Sequence, residues 1–277
     1  MKSQGERVPG TLPAAEFQAI NRVAQELADI SGSVILKHFR KPMPVENKAG
    51  AGAFDPVTKA DRGAEKAIVQ ALATKFPDHG IVGEEFGSKP GTSPFKWVID
   101  PIDGTRSFII GSPLWGTLIG VLKNDEPVFG LVDQPFTGER FWSGDKSAYH
   151  SMRGARPVRI KTRECTRIED AVLTSTHPDL FESPEQSAAL TALKAKARLT
   201  RYGGDCYGYC LLASGFVDII IESGLKAYDI VAIIPIIERA GGVITTWTGG
   251  NPASGGDIIA TGDPRLHEDV LALINKL

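Results

Sequence analysis

The stretch KWVIDPIDGTRSFIIGSPLWGTLIGVL, residues 96–122, opens on an apolar triplet, Trp97, Val98 and Ile99. Its aromatic and β-branched character predicts a buried strand. Pro101 has no N–H to give a strand ladder, so the strand is expected to end there. Asp100, Asp103 and the Gly104-Thr105 turn would then sit at the carboxyl end of a strand, where open α/β sheets place their ligands. Residues 104–107 can begin a short helix whose free N–H groups suit a phosphate. Two carboxylates beside an anion cradle would repel a phosphate unless cations lay between them. The pattern predicts a divalent-metal site that binds phosphate. The plainer alternative is a strand followed by an ordinary Asp-Gly turn with a capping Thr.

The chain around this stretch has 277 residues, enough for one large domain or two modest ones. With 42% apolar and 23% charged residues it has the composition of a soluble globular protein. A net charge of −2 gives no global pull toward nucleic acid or an anionic membrane. The cysteines Cys165, Cys206 and Cys210 are odd in number and lack CxxC spacing, which argues against a disulfide framework or a zinc site and for a reducing compartment. The start, MKSQGERVPG, lacks the apolar core of a signal peptide, and no run of about 18 apolar residues occurs. A cytoplasmic protein is expected.

Residues 1–10 are polar and expected to fray. Apolar side chains then recur every three or four residues from Phe17 to Phe39, predicting a packing helix over 13–39. Residues 41–58 are rich in Pro, Gly and Ala and read as a loop, with a short strand at 43–47 and a mobile tip at 48–54 able to close over a site. Asp61 is placed to head a helix over 62–76, with N-capping as its structural reading. His79 reads as a solvated turn histidine. Residues 81–85 read as a short strand ending in Glu84 and Glu85, whose side chains would point to opposite faces. Antiparallel hairpins follow over 114–142, turning at 124–127 and 137–139, and 149–160 closes the meander.

A change of pattern at 161–167 marks a candidate boundary between domains 1–160 and 161–277. Beyond it strands (171–175, 199–202, 217–222, 243–247, 258–261) alternate with helices (184–197, 206–214, 230–240, 264–276), and Gly241-Gly242 ends the third as a left-handed cap would. Asp205 and Asp229 each precede a predicted helix and have N-capping as their structural reading.

Taken together, DPVTKAD (55–61), GEE (83–85), DPIDGT (100–105) and YDIVAIIPIIERAGG (228–242) resemble the lithium-sensitive, magnesium-dependent inositol monophosphatase superfamily. The motifs stand in that family's order and span most of the chain. The haloacid-dehalogenase DxDGT does not fit, because its carboxylates are two apart and these are three apart. Tyr228 stands where the family usually has Trp, which retains an aromatic. GTRSFIIGSPLWGTLIG (104–120), with Arg106 for the usual Lys, and RYGGDCYGYCLLASG (201–215) resemble the histidinol-phosphate phosphatase branch.

The resemblance implies a layered α-β-α-β-α sandwich, α+β in its first half and α/β in its second, and usually a homodimer. It implies that Glu84, Asp100 and the Ile102 carbonyl hold one Mg²⁺, that Asp100, Asp103 and Asp229 hold a second, and that Glu84 helps hold a weaker third. Asp61 and Thr105 would orient and activate the attacking water, and the Gly104 and Thr105 N–H groups would hold the phosphate. Oxygen donors of this kind suit a hard cation and need no histidine or cysteine. Asp103, Gly204, Asp205 and Glu222 would contact the leaving alcohol. Carboxylates at Asp205 and Glu222 suit a cationic head such as that of L-histidinol phosphate. Inositol-1-phosphate, a sugar or nucleotide monophosphate, and a partner-binding role without catalysis are the alternatives.

Overall fold

The computed structural model describes residues 10, 12–42, 44–48 and 56–276. Residues 1–9 of the predicted fray and the predicted loop tip, Lys48 apart, lie outside the described residues, whereas Gly10 departs from the expected fray, its carbonyl accepting an Arg239 Nη2–H at 3.1 Å. The amphipathic repeat forms α1 (Ala14–Ile35), which stops short of 39 as the Lys37 and His38 N–H groups bond to carbonyls only three residues back, Val34 O and Ile35 O, and Arg40 turns at φ +57°. Two short strands, β1 (Glu46–Asn47) and β2 (Pro56–Val57), pair with each other before α2 (Lys59–Lys75). There follow β3 (Gly80–Gly83), β4 (Gly87–Lys89), β5 (Phe95–Asp103), α3 (Thr105–Ile109), β6 (Gly116–Lys123), β7 (Glu126–Gln134), β8 (Glu139–Ser143), β9 (Ala148–Met152) and β10 (Val158–Ile160). The second half supplies β11 (Val172–Ser175), α4 (Pro184–Lys196), β12 (Leu199–Tyr202), α5 (Asp205–Ala213), β13 (Ile219–Leu225), α6 (Ala227–Ile230), α7 (Ile233–Ala240), β14 (Val243–Thr246), β15 (Gly256–Thr261) and α8 (Pro264–Ile274).

An eight-stranded sheet runs β10-β9-β8-β7-β6-β5-β3-β4, and a five-stranded sheet runs β12-β11-β13-β15-β14. Side-chain alternation shows how they are stacked. Ile119 and Leu131 pack with Leu27 and Leu72 of α1 and α2, while their neighbours Leu118 and Val132 pack with Ile233 and Ile237 of α7. Ile220 and Ala260 face that same central layer, whereas Ile219, Ile221 and Ile259 face Leu193 and Leu266 of α4 and α8. The five layers are therefore helix, sheet, helix, sheet, helix. Both faces of each sheet are covered, which is why the strand sequences read as near-continuous apolar runs. Among the described residues no helix is long and apolar enough to cross a membrane, and all three cysteines are free.

The central layer lies very close to the first sheet. Gly120 and Gly130 face each other across β6 and β7, and a Cβ on Gly130 would come 1.8 Å from the Ala232 carbonyl oxygen. That contact falls where the helix expected over 230–240 breaks into α6 and α7. It seats the segment carrying Asp229 against the sheet that carries Asp100 and Asp103. His79 also departs from expectation: it is stacked between Phe76 and Phe95, accepts Trp97 Nε1–H at 3.0 Å, and burial lowers its pKa.

Candidate active site

Residues from both halves of the chain meet around a cavity of about 220 Å³, lined by Asp103, Gly104, Thr105, Asp205, Glu222 and Asp229 among others. Its floor is the end of β5, which does not stop at Pro101 as expected but continues to Asp103. On one side β3 has already ended at Gly83, opposite Ile99, so no further β3 residue seeks the missing proline N–H. On the other side the register with β6 shifts from Asp100↔Leu118 to Asp103↔Gly116, a bulge. Residues three apart on a regular strand face opposite sides, and the bulge's extra residue turns Asp103 back to the side of Asp100.

Asp61 does not cap α2; Thr58 does. Asp61 occupies the third helical position of a capping box, its Oδ2 accepting the Thr58 N–H at 2.9 Å and the Thr58 hydroxyl. This leaves Oδ1 facing Thr105 Oγ1 at 3.5 Å, while the Thr105 hydroxyl donates to the Ile102 carbonyl at 3.0 Å. Asp229 is held in the same way. It is not the cap of its helix but the third residue of α6, and its Oδ2 accepts the Lys226 N–H at 2.7 Å.

Glu84 and Glu85 lie in the turn after β3, not on the strand, and do not diverge: both place Oε1 2.8 Å from Lys48 Nζ. Burial works against the Lys48 ammonium, but hydrogen bonds to the two glutamates outweigh it and raise its pKa. The turn itself is held by buried Glu65, which accepts the N–H groups of Glu85 (2.8 Å) and Phe86 (3.0 Å).

Asp205 is likewise the first residue of α5 rather than its cap, with φ +43°. Its Oδ2 accepts the Ser107 hydroxyl at 2.8 Å, joining the 104–120 and 201–215 segments. Gly104 (φ +84°) lies against it, since a Cβ there would come 3.1 Å from Asp205 Cβ. Glu222 is 2% exposed and accepts from the Thr176 N–H (2.8 Å) and hydroxyl (2.9 Å). Asp103 Oδ2 accepts the Cys206 N–H at 2.7 Å.

Asp100, Asp103 and Asp229 each bring a carboxylate oxygen to within 4.8 Å of the other two. Burial first, then the like charges of their neighbours, holds Asp100 and Asp103 well above the usual carboxylate range. Burial raises Asp229 to about 7, Asp61 to about 6 and Glu222 to about 8. Such crowding of acids in a low-dielectric cleft is costly without a cation. An all-oxygen set of this spacing fits a hard divalent cation. Glu84 lies close enough to raise the Asp100 pKa, but its carboxylate is paired with Lys48 and stands outside the triplet.

The profile of the inositol monophosphatase family matches residues 16–277. The chain belongs to the inositol monophosphatase family. It is 42% identical over 274 residues to the bifunctional phosphatase IMPL2, chloroplastic, of Arabidopsis thaliana, covering 95% of this chain and 77% of that protein. It is 33% identical over 256 residues to a histidinol-phosphatase of Chlorobaculum parvum, covering 92% and 96%. An inositol monophosphatase from Zymomonas mobilis superposes with a TM-score of 0.82 at 38% identity, over 95% of this chain and 100% of that one. The fold is the family's layered sandwich, and the chain is a phosphatase of this metal-dependent family.

Glu65, Lys48, Ser107 and Thr176 escaped the sequence reading although each supports a site carboxylate. Glu65 left a signal: it falls on the buried stripe Asp61, Glu65, Ile68, Leu72 of α2, where a charge needs a partner. Lys48 lies in an irregular loop and Thr176 just beyond a strand end, so no periodicity marks either.

Proposed function

We propose that this chain is a Mg²⁺-dependent phosphomonoesterase that hydrolyses L-histidinol phosphate to L-histidinol and phosphate. The observation that carries the reading is the pair of additional carboxylates, Asp205 and Glu222, lining the cavity beside Asp103 and Asp229. A leaving alcohol with an ammonium and an imidazole gains from them, and a neutral polyol does not need the charge. A cationic head would also draw the Glu222 pKa down from about 8 and ionise it on binding.

In this reading Asp100, Asp103 and Asp229 hold one cation, and Glu84, Asp100 and the Ile102 carbonyl hold another. Glu84 would contribute to a third, so Lys48 would yield Glu84 when cations bind. When bound, the cations supply positive charge that stabilises the attacking and leaving oxygens of an in-line displacement and acidifies water. The Gly104 and Thr105 N–H groups orient the phosphate. Thr105 Oγ1 passes the proton of the attacking water toward Asp61 Oδ1, 3.5 Å away. A carboxylate titrating at about 6 is suited to accept it near neutral pH. Asp103, Gly204, Asp205 and Glu222 contact the alcohol.

We read 1–160 and 161–277 as two domains sharing this cleft, in a cytoplasmic homodimer. The second reading is a broader monophosphatase acting on inositol 1-phosphate, favoured by the inositol monophosphatase among the structural matches and by the word bifunctional in the name of the Arabidopsis relative.

The test is Asp205→Ala, assayed on L-histidinol phosphate and inositol 1-phosphate. Losing a charged partner for the cationic head should lower kcat/KM for L-histidinol phosphate by about 10- to 100-fold and change the inositol ratio little. Equal losses on both, or no loss, would sink the specificity reading.

A further inference from the structure

One side chain lining the same cavity carries a buried polar group with no hydrogen-bond partner among the described residues. Tyr209 is 4% exposed, and its hydroxyl oxygen is buried without a hydrogen-bond partner among the described residues. It stands four residues after Asp205 on α5, which places both side chains on one face of the helix, and both line the cavity. Neighbouring polar groups are already committed: Thr176 donates to Glu222 at 2.9 Å, and Ser107 to Asp205 at 2.8 Å. Buried phenols ordinarily find a partner, and leaving one without is costly. A pocket that receives a polar ligand accounts for the exception, because the ligand completes the bond.

We propose that the Tyr209 hydroxyl hydrogen-bonds the polar head of the leaving alcohol and is a specificity residue of this phosphatase. This rests on the cavity being the alcohol pocket but not on which alcohol occupies it. Burial and the charges of Glu222, Asp103 and Asp229 keep the phenol protonated. It therefore offers one donor, and lone pairs as acceptors. The carboxylates around it can only accept once ionised. Tyr209 supplies the neutral donor that an unprotonated ring nitrogen or a hydroxyl oxygen of the alcohol requires.

Tyr209→Phe keeps the ring and removes only the hydroxyl. Three readouts on wild type and variant decide the matter: thermal unfolding without ligand, kcat and KM on both monoesters, and inhibition by inorganic phosphate, which lacks the alcohol. On whichever monoester the wild type prefers, KM should rise about five- to tenfold, the worth of one neutral hydrogen bond, with kcat changed less than about twofold. The Ki of phosphate should stay constant, and Tm should hold or rise, since an unpartnered buried hydroxyl is removed. Unchanged KM overturns the proposal. So does a fall in Tm with parallel weakening of phosphate, which would mark a structural hydroxyl. Wild-type preference for inositol 1-phosphate overturns the histidinol reading alone, and the Tyr209 comparison is then read on that substrate. Hydrolysis of neither overturns both.

Discussion

Gly83→Ala tests how the fold delivers Glu84 to the site. A Cβ at Gly83 would come 1.9 Å from Glu65 Oε1 and 2.4 Å from its Cδ. Gly83 is not among the residues with positive φ, so this clash is the objection to alanine. Glu65 must then leave, and the N–H groups of Glu85 and Phe86 lose an acidic acceptor. At about 1.5–3 kcal/mol for each such bond, the loss of the two is on the order of 3–6 kcal/mol. Glu65→Ala should cost about the same, for it orphans the same two groups. The double variant Gly83→Ala/Glu65→Ala should cost little more than Glu65→Ala alone, because the space has been cleared. Urea unfolding of the four proteins gives the coupling, expected to be at least about 2 kcal/mol. Phosphate release should fall in step, as the turn that carries Glu84 loosens. Additivity within about 0.5 kcal/mol would refute the reasoning.

Three other perturbations probe separate links. Glu222 rises from 4.5 to about 8 in the fold, so its contribution to stability is full below pH 4.5 and is lost as pH rises through about 8. That loss amounts to on the order of 5 kcal/mol, and Glu222→Gln should flatten this part of the stability–pH profile; an unchanged profile would contradict the assignment. Asp229→Asn removes one charge of the crowded triplet, so the metal-free protein should gain stability while Mg²⁺ ceases to raise its Tm. The wild type should gain about 2.7 kcal/mol at 100 times Kd, and an equal gain in the variant would count against the triplet as the cation site. Gly130→Ala sets a methyl 1.8 Å from a backbone oxygen that cannot swing aside, so it should cost more than about 4 kcal/mol or prevent folding. A native urea midpoint would show that the central helices need not sit so close.

Individual strands and helices were legible because continuous apolar runs and amphipathic repeats are strong signals, whereas the layering and the site came from the family resemblance that the clustered motifs carry. What misled were one-residue backbone details. Pro101 reads as a strand terminator, yet a sheet with one edge open beyond Ile99 tolerates it, and the resulting bulge is what turns Asp100 and Asp103 to one side. Asp61 and Asp229 each precede an apolar helical run and read as caps. Thr58 and Lys226, three residues earlier, begin the helices, and the aspartates bond back to them. Glu84 and Glu85 were assigned opposite faces by strand geometry, but the strand ends one residue before them. Lys48 and Thr176 support site carboxylates across 36 and 46 residues of chain, contacts that no local pattern encodes.

The central claim is tested most directly by phosphate release from L-histidinol phosphate and inositol 1-phosphate, measured on one preparation with Mg²⁺ and again with EDTA. The predicted result is release from L-histidinol phosphate that EDTA abolishes, with kcat/KM exceeding that for inositol 1-phosphate by at least about tenfold. Release that survives EDTA, or a preference for inositol 1-phosphate, would contradict it.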